Sequence, residues 1–432
     1  MIMPMIKNHE KLRCMATGME IDDDGLVFHN RAIEEPSLLR TIYLNKKLNI
    51  NHHPGLYQYS DWLPIRRILQ GSSLPSTYRS TKLASYLGLS KLHITFNGYW
   101  KERNADMTTG TFKECEAYTV CSRFPWELGK TLVVASAGNT ARAYMKVCSE
   151  NQLPLVLVVP NKLLTRLWST TRVNHCVKVI SADGDCDYSD AIKLSDLIST
   201  MDGFQNSGGT RNVAKRDGLG VTVLSAISMM GEIPDYYYQA IGSGAGAIAA
   251  YEANLRLVES GDYRYKMMKL HLSQNIPFTP IADAWKQRIR TVDIEEEHAK
   301  YQIGKICAKV LSNRNPPYGL AGGLYDALTK SEGNVFGVTN REIKEACALF
   351  EKLEGCDILP ESGAAVAALI KNINSGSVAK QSSILLNITG GGYKNIKRDF
   401  GINRIKPDVS IGRQQFATDL MYKKIQALIE KE

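Results

Sequence analysis

The chain has 432 residues, 44% hydrophobic and 22% charged, enough for two or three domains whose cores need neither disulfide nor metal staples. Its 34 Gly and 15 Pro exclude a collagen-like or low-complexity chain, and no apolar run reaches the ~18 residues of a membrane helix. The net charge of +9 alone is as compatible with small anions drawn into a positive cleft as with nucleic acid, but the basic residues are scattered, with no basic-arm, finger or RNP pattern, so no nucleic-acid partner is expected.

Nine cysteines, an odd number with no CxxC pair, argue against a disulfide framework or a four-cysteine zinc site. They fit a reducing cytoplasm. The N-terminus has no apolar stretch followed by a small-residue cleavage site, so neither a secretory signal nor a membrane partner is expected.

The first 80 residues are the least regular, with aromatics and Pro turns in HHPGLYQYSDWLP, and read as an extension packed on the lobes that the rest of the chain builds. Met107–Lys113 (MTTGTFK) leads into Ala117, Val120, Cys121 and Phe124, which recur at the spacing of a buried helical face. From Thr131 onward, short apolar runs alternate with helical periods. Strands are expected at Thr131–Ala135, Pro154–Pro160, Val177–Ile180, Tyr236–Ile241, Lys269–Ser273, Val335–Val338 and Ser383–Thr389. Helices are expected over 139–150, 188–200, from GSGAG to about 258, and over 340–354. Asp357–Leu359 is a short apolar run, and Ser362 is placed to cap the Ala-rich helix after it. Such alternation predicts an α/β fold with parallel sheets covered by helices. The Gly-rich stretch Asn206–Gly220 reads as the seam between lobes, giving an extension (1–80), a smaller lobe (81–220) and a larger lobe (221–432).

Three strand-to-helix turns carry small and hydrogen-bonding residues where parallel sheets bind ligands. Ser136-Ala137-Gly138-Asn139-Thr140 opens a helix and suits a carboxylate at its free N–H groups, although a tight turn and cap would use the same residues. Gly242-Ser243-Gly244-Ala245-Gly246 also opens a helix and suits phosphate. It matches neither a Walker loop nor GxGxxG, and a ligand-free glycine turn remains open. Thr389, before Gly390-Gly391-Gly392, could offer one hydroxyl to a ring edge or simply end a strand. Lys113, at the start of a buried-looking helix, has the setting of an amine with a depressed pKa, but without a cofactor a surface lysine explains it better. The histidines offer no HExxH, and no GxSxG is present.

Taken in order, TGTFKE, SAGNT, GSGAG and TGGG resemble the pyridoxal-phosphate (PLP) enzymes of the tryptophan-synthase-β fold type, from about residue 75 onward. The resemblance is closest to the threonine synthase family and, within it, to the cysteate synthase group of methanogenic archaea. It implies a two-lobed fold, PLP as cofactor, and a β-replacement that makes L-cysteate and phosphate from O-phospho-L-serine and sulfite for coenzyme M. It also implies roles. Lys113 would carry PLP, and Asn139 would bond its 3′ oxygen. Gly242, Ser243, Gly244, Ala245 and Gly246 would cradle its phosphate, while Thr389 would face an uncharged ring nitrogen. Ser136, Ala137 and Thr140 would surround the substrate carboxylate.

Departures from the family pattern are GTFKEC in place of GSFKDR, and CMATG where some relatives have the first CxxC of a zinc ribbon, so no metal is expected. RNVAKRDGLG replaces the usual interlobe segment and leaves Arg211, Lys215 and Arg216, with Arg142, as candidate anion binders. Assembly as a homo-oligomer is expected. Threonine synthase activity on O-phosphohomoserine and a non-catalytic PLP-fold protein are the alternatives.

Overall fold

Strands Leu155–Pro160 and Val177–Asp183 are buried along nearly their whole length, the condition of a parallel sheet covered on both faces. They form the centre of a five-stranded sheet in the order Phe204–Asn206, Thr131–Ala135, Leu155–Pro160, Val177–Asp183, Val409–Gly412, parallel throughout. A second sheet has six strands, ordered Asn334–Val338, Lys269–Asn275, Tyr236–Ala240, Ser383–Ile388, Lys91–Phe96 and Ser76–Arg79. Only its last strand runs antiparallel to its neighbour. The computed structural model describes Ile6, residues 8–136 and residues 138–429.

Every strand expected from the alternation is present, with ends within three residues of those expected, and the short apolar run Asp357–Leu359 forms no strand. That run makes only an isolated bridge, Ile358 to Gly391. The sheets are less contiguous than the expected ranges 81–220 and 221–432. Lys91–Phe96 lies beside Ser383–Ile388 in the larger sheet, and Val409–Gly412 returns to complete the smaller one. The N-terminal extension builds a sheet of its own, in which His9–Cys14 pairs antiparallel with Glu20–Asp22 and Leu39–Tyr43.

The expected seam is, in its second half, the start of an 18-residue helix, Val213–Met230. Asn212 caps it by accepting from the Ala214 N–H at 3.0 Å. Its residues from Arg216 to Ile227 are all buried, because it packs between helices Lys113–Arg123 and Ala245–Glu259. A helix buried on nearly every side, with its charged residues paired inside, shows no amphipathic period, so the sequence pattern could not reveal it. Gly218 is where the crossing is tightest: a Cβ there would lie 2.4 Å from the Cys115 carbonyl oxygen.

Candidate active site

The motifs converge in part because the turn after strand Ser383–Ile388 is tied to the segment before Lys113. The Phe112 N–H donates to the Thr389 carbonyl at 3.0 Å, and Thr111 bridges to Gly390. Ser362 holds this turn from the other side. Its hydroxyl donates to the Gly390 carbonyl at 2.9 Å and accepts from the Gly390 N–H at 3.0 Å. This corrects the cap expected of Ser362: Leu359 occupies the N-cap and Pro360 the first turn, where its missing N–H costs nothing.

One cleft is lined by Lys113, Ser136, Asn139, Thr140, Lys215, Gly242–Gly246, Glu361 and Thr389. Ala137 lies outside the described residues. Lys113 begins the Lys113–Arg123 helix, with its Nζ 2.8 Å from Glu116 Oε2. Burial pushes this amine below its usual range; Glu116 opposes that shift, and the nearby Lys215 charge adds to it. At the opposite wall, helix Ala245–Glu259 starts without a side-chain cap behind Gly244 (φ 81°). The amides of Gly242, Ser243, Gly244 and Gly246 donate to no group among the described residues. Four free donors at a helix N-terminus form a ready anion cradle.

The SAGNT turn is already partly engaged. Ser136 Oγ accepts from the N–H groups of Gly138 (3.2 Å) and Ala141 (2.9 Å), which leaves its own proton free to donate. Asn139 donates to Glu361 Oε1 at 2.9 Å and accepts from Arg142 at 2.6 Å, keeping its second amide proton free. Thr389 Oγ1 is buried, 3.4 Å from Ser362 Oγ. An amine with a lowered pKa, a capless glycine cradle and a lone hydroxyl at a strand end together fit PLP: attachment, phosphate and ring nitrogen.

The four candidate cations fare differently. Lys215 lines the cleft, with its Nζ 2.7 Å from Glu116 Oε1. Arg142 is buried behind Asn139, under the rings of Trp168 and Tyr393, and donates to the Arg166 carbonyl at 3.0 Å. Arg211 is exposed in a short 3-10 turn, outside the cleft lining. Arg216 does not face the cleft at all. It is fully buried against Glu252 (3.1 Å) and the Thr210 (2.6 Å) and Leu39 carbonyls, fastening the N-terminal sheet to two helices. Nor does it pair with Asp217, which holds Arg256, Thr41 and Tyr43. An Arg216→Ala substitution leaves Glu252 only its longer contact to Arg40, at 3.4 Å, and takes the donor from the Thr210 and Leu39 carbonyls, so it is expected to cost about 2–3 kcal/mol of stability. Thermal melting is the measurement; a melting point unchanged from the parent's would contradict this structural role.

Two site residues escaped the sequence reading. Glu116 had a signal, since a carboxylate three residues after a lysine shares its helical face. Glu361 had none: it sits beside Asn139, and burial raises its pKa, only because two distant turns meet.

A family model described as "Pyridoxal-phosphate dependent enzyme" matches residues 76–390. Among curated proteins, the cysteate synthase of Methanoregula boonei is 44% identical over 94% of this chain and 95% of its own length. The cysteate synthase of Methanosarcina acetivorans is 42% identical over 93% and 96%. Among solved structures, maize serine racemase superposes with a TM-score of 0.57 at 15% identity, covering 75% of this chain and 93% of its own. Serine racemase from Dictyostelium discoideum gives 0.54 at 16%, covering 73% and 92%. These last two speak for the fold alone.

Proposed function

The chain belongs to the pyridoxal-phosphate-dependent enzyme family, alongside the cysteate synthases, and from that premise we propose that it converts O-phospho-L-serine and sulfite to L-cysteate and phosphate. The observation that carries the reading is one cleft uniting Lys113, the SAGNT turn, the Gly242–Gly246 cradle and Thr389 in a chain 44% identical to a cysteate synthase. The product would enter coenzyme M synthesis. We also propose that the enzyme works as a homo-oligomer with small anions as its partners; no described helix is long and apolar enough to cross a membrane.

PLP, held by Lys113 and by the Gly242–Gly246 amides, supplies the electron sink for bond cleavage at the substrate's α-carbon. The chain's own residues do the rest. Ser136 and Thr140, with the first amides of the 139–151 helix, receive the substrate carboxylate, as the reading assigns also to Ala137. The neutral Lys113 amine takes the α-proton and later returns it. Asn139 spends its free amide proton on the cofactor's 3′ oxygen while Arg142 and Glu361 fix its orientation. Of the four candidate cations, Lys215 in the cleft lining and Arg142 behind Asn139 remain as binders for the leaving phosphate and the incoming sulfite. Arg211 is expected to matter little, and its replacement by Ala should change kcat/KM by no more than about twofold, as for other exposed charges.

Thr389 offers the ring nitrogen a neutral hydroxyl. A Thr389→Asp substitution is expected to protonate that nitrogen, shift the cofactor's visible absorbance and slow turnover about tenfold or more, some 1.4 kcal/mol of barrier. An unchanged spectrum and rate would place Thr389 away from the ring. The reaction itself is tested by supplying PLP-loaded protein with O-phosphoserine or O-phosphohomoserine, each with and without sulfite. Sulfite-dependent L-cysteate from O-phosphoserine is expected. Threonine from O-phosphohomoserine, with no cysteate, would overturn the assignment.

A further inference from the structure

The proposed chemistry leaves one buried carboxylate unassigned. Glu116 has no exposed side-chain surface, yet two amines meet there: Lys113 on Oε2 at 2.8 Å and Lys215 on Oε1 at 2.7 Å. The two lysines come from different helices, Lys113–Arg123 and Val213–Met230. Two ammonium groups against one carboxylate would leave a surplus positive charge in a site that burial makes hostile to it. One proton is therefore easily lost from the cluster. The surroundings decide which amine loses it.

Among the described residues, no other ionic group adjoins the cluster to alter that count. Tyr188 reaches Lys215 from the Tyr188–Ser199 helix, and Tyr144 reaches Glu116 from the Asn139–Asn151 helix; burial raises both phenols, so both are neutral at physiological pH. The Phe112 ring lies 5.0 Å from Lys113 Nζ. Glu114, the next carboxyl, is committed elsewhere, accepting from the Thr109 N–H and hydroxyl, with Lys146 at 3.8 Å.

We infer that Glu116 and Lys215 are positioning residues for Lys113: Glu116 fixes Lys215 as a permanent cation beside the reacting amine, so that the proton the cluster gives up comes from Lys113. The inference rests on the reading of Lys113 as that amine. Burial and its neighbours move the two lysines in opposite directions, Lys113 down and Lys215 up, the latter because Glu116 outweighs the burial penalty. The arrangement also lasts through a catalytic cycle. While Lys113 is engaged with the cofactor, Lys215 keeps Glu116 paired. When Lys113 accepts the α-proton, Glu116 is already at hand to receive the new ammonium, and the opposing Lys215 charge keeps that proton easy to return.

The test reads the Lys113 amine directly. The full-length chain, freed of cofactor, is pulsed with acetic anhydride across a pH series, and acetylation of Lys113 is followed by mass spectrometry. In the parent, the midpoint should lie below the ordinary lysine value. Lys215→Met leaves Glu116 to Lys113 alone and should raise the midpoint by about one pH unit, a tenfold loss of neutral amine at a given pH. Lys215→Arg keeps the charge and should restore the parent midpoint. Glu116→Gln should lower it; where that variant fails to fold, the Lys215 pair still decides. A midpoint equal in parent, Lys215→Met and Lys215→Arg overturns the inference. Borohydride reduction of the holoenzyme is read in parallel. A pyridoxyl label away from Lys113 would sink the functional reading itself, whereas a label on Lys113 with unmoved midpoints sinks only this inference.

Discussion

A Lys113→Ala enzyme should release phosphate from O-phospho-L-serine at least about a thousand times more slowly than the parent, because it loses both the covalent anchor and the base. The effect should be chemical and not structural. Lys113 is partly exposed at the first position of its helix, and removing it leaves the buried Glu116 still paired with Lys215 at 2.7 Å. A stranded buried carboxylate would unfold the helix; a paired one does not. The variant should therefore melt close to the parent's temperature while showing no cofactor linkage in the visible spectrum. Borohydride treatment of the parent should leave the pyridoxyl group on the peptide containing Lys113. Turnover within tenfold of the parent, or a label on another lysine, would remove Lys113 from the mechanism.

How much of this was legible in the sequence depends on how local each signal is. Strand Leu155–Pro160 and helix Asn340–Glu354 announce themselves, one by an unbroken apolar run and the other by period and cap, with Thr339 and Glu342 forming a capping box. Three of the segments that meet at the cleft were visible as small residues after strands, a local pattern set by what a backbone needs in order to approach a ligand, and the fourth as a lysine opening a helix with a buried face. What failed was non-local. The Val213–Met230 helix is buried on all sides and so lacks the polar face that marks a surface helix. Arg216, only one residue from Lys215, points the opposite way, to Glu252, because adjacent helical residues do not share a face. Composition could offer both as anion binders; only the packing of three helices separates them. Strand Lys91–Phe96 was missed in the same way: its place beside Ser383–Ile388 spans almost 300 residues of chain and leaves no trace in either segment.

The phosphate cradle offers the second large effect, and there the steric and electrostatic contributions can be separated. Gly244 caps the Ala245–Glu259 helix at φ 81°, and a Cβ on it would lie 2.7 Å from Leu324 Cδ2. Gly244→Ala therefore carries backbone strain of about 1–2 kcal/mol and needs Leu324 to yield, and it should weaken PLP retention only modestly. Gly244→Asp carries similar strain, which Asp tolerates better in this conformation, and adds a carboxylate beside the Gly242, Ser243 and Gly246 amides, which donate to no group among the described residues. That carboxylate suits the helix N-terminus by itself, so the fold gains a resident anion while the cofactor phosphate meets a like charge. At a separation of 4 Å and an effective dielectric near 20, a unit charge pair is worth ~4 kcal/mol before rearrangement. If half of that survives, PLP affinity should fall by at least about thirtyfold. Dialysis against cofactor-free buffer, followed by absorbance of the remaining PLP, measures the loss. Pyridoxal without its phosphate provides the internal control, since its attachment to Lys113 should be nearly the same in Gly244→Asp and Gly244→Ala. If Gly244→Asp keeps PLP as the parent does, or loses pyridoxal as severely as PLP, the phosphate does not sit on the Gly242–Gly246 amides.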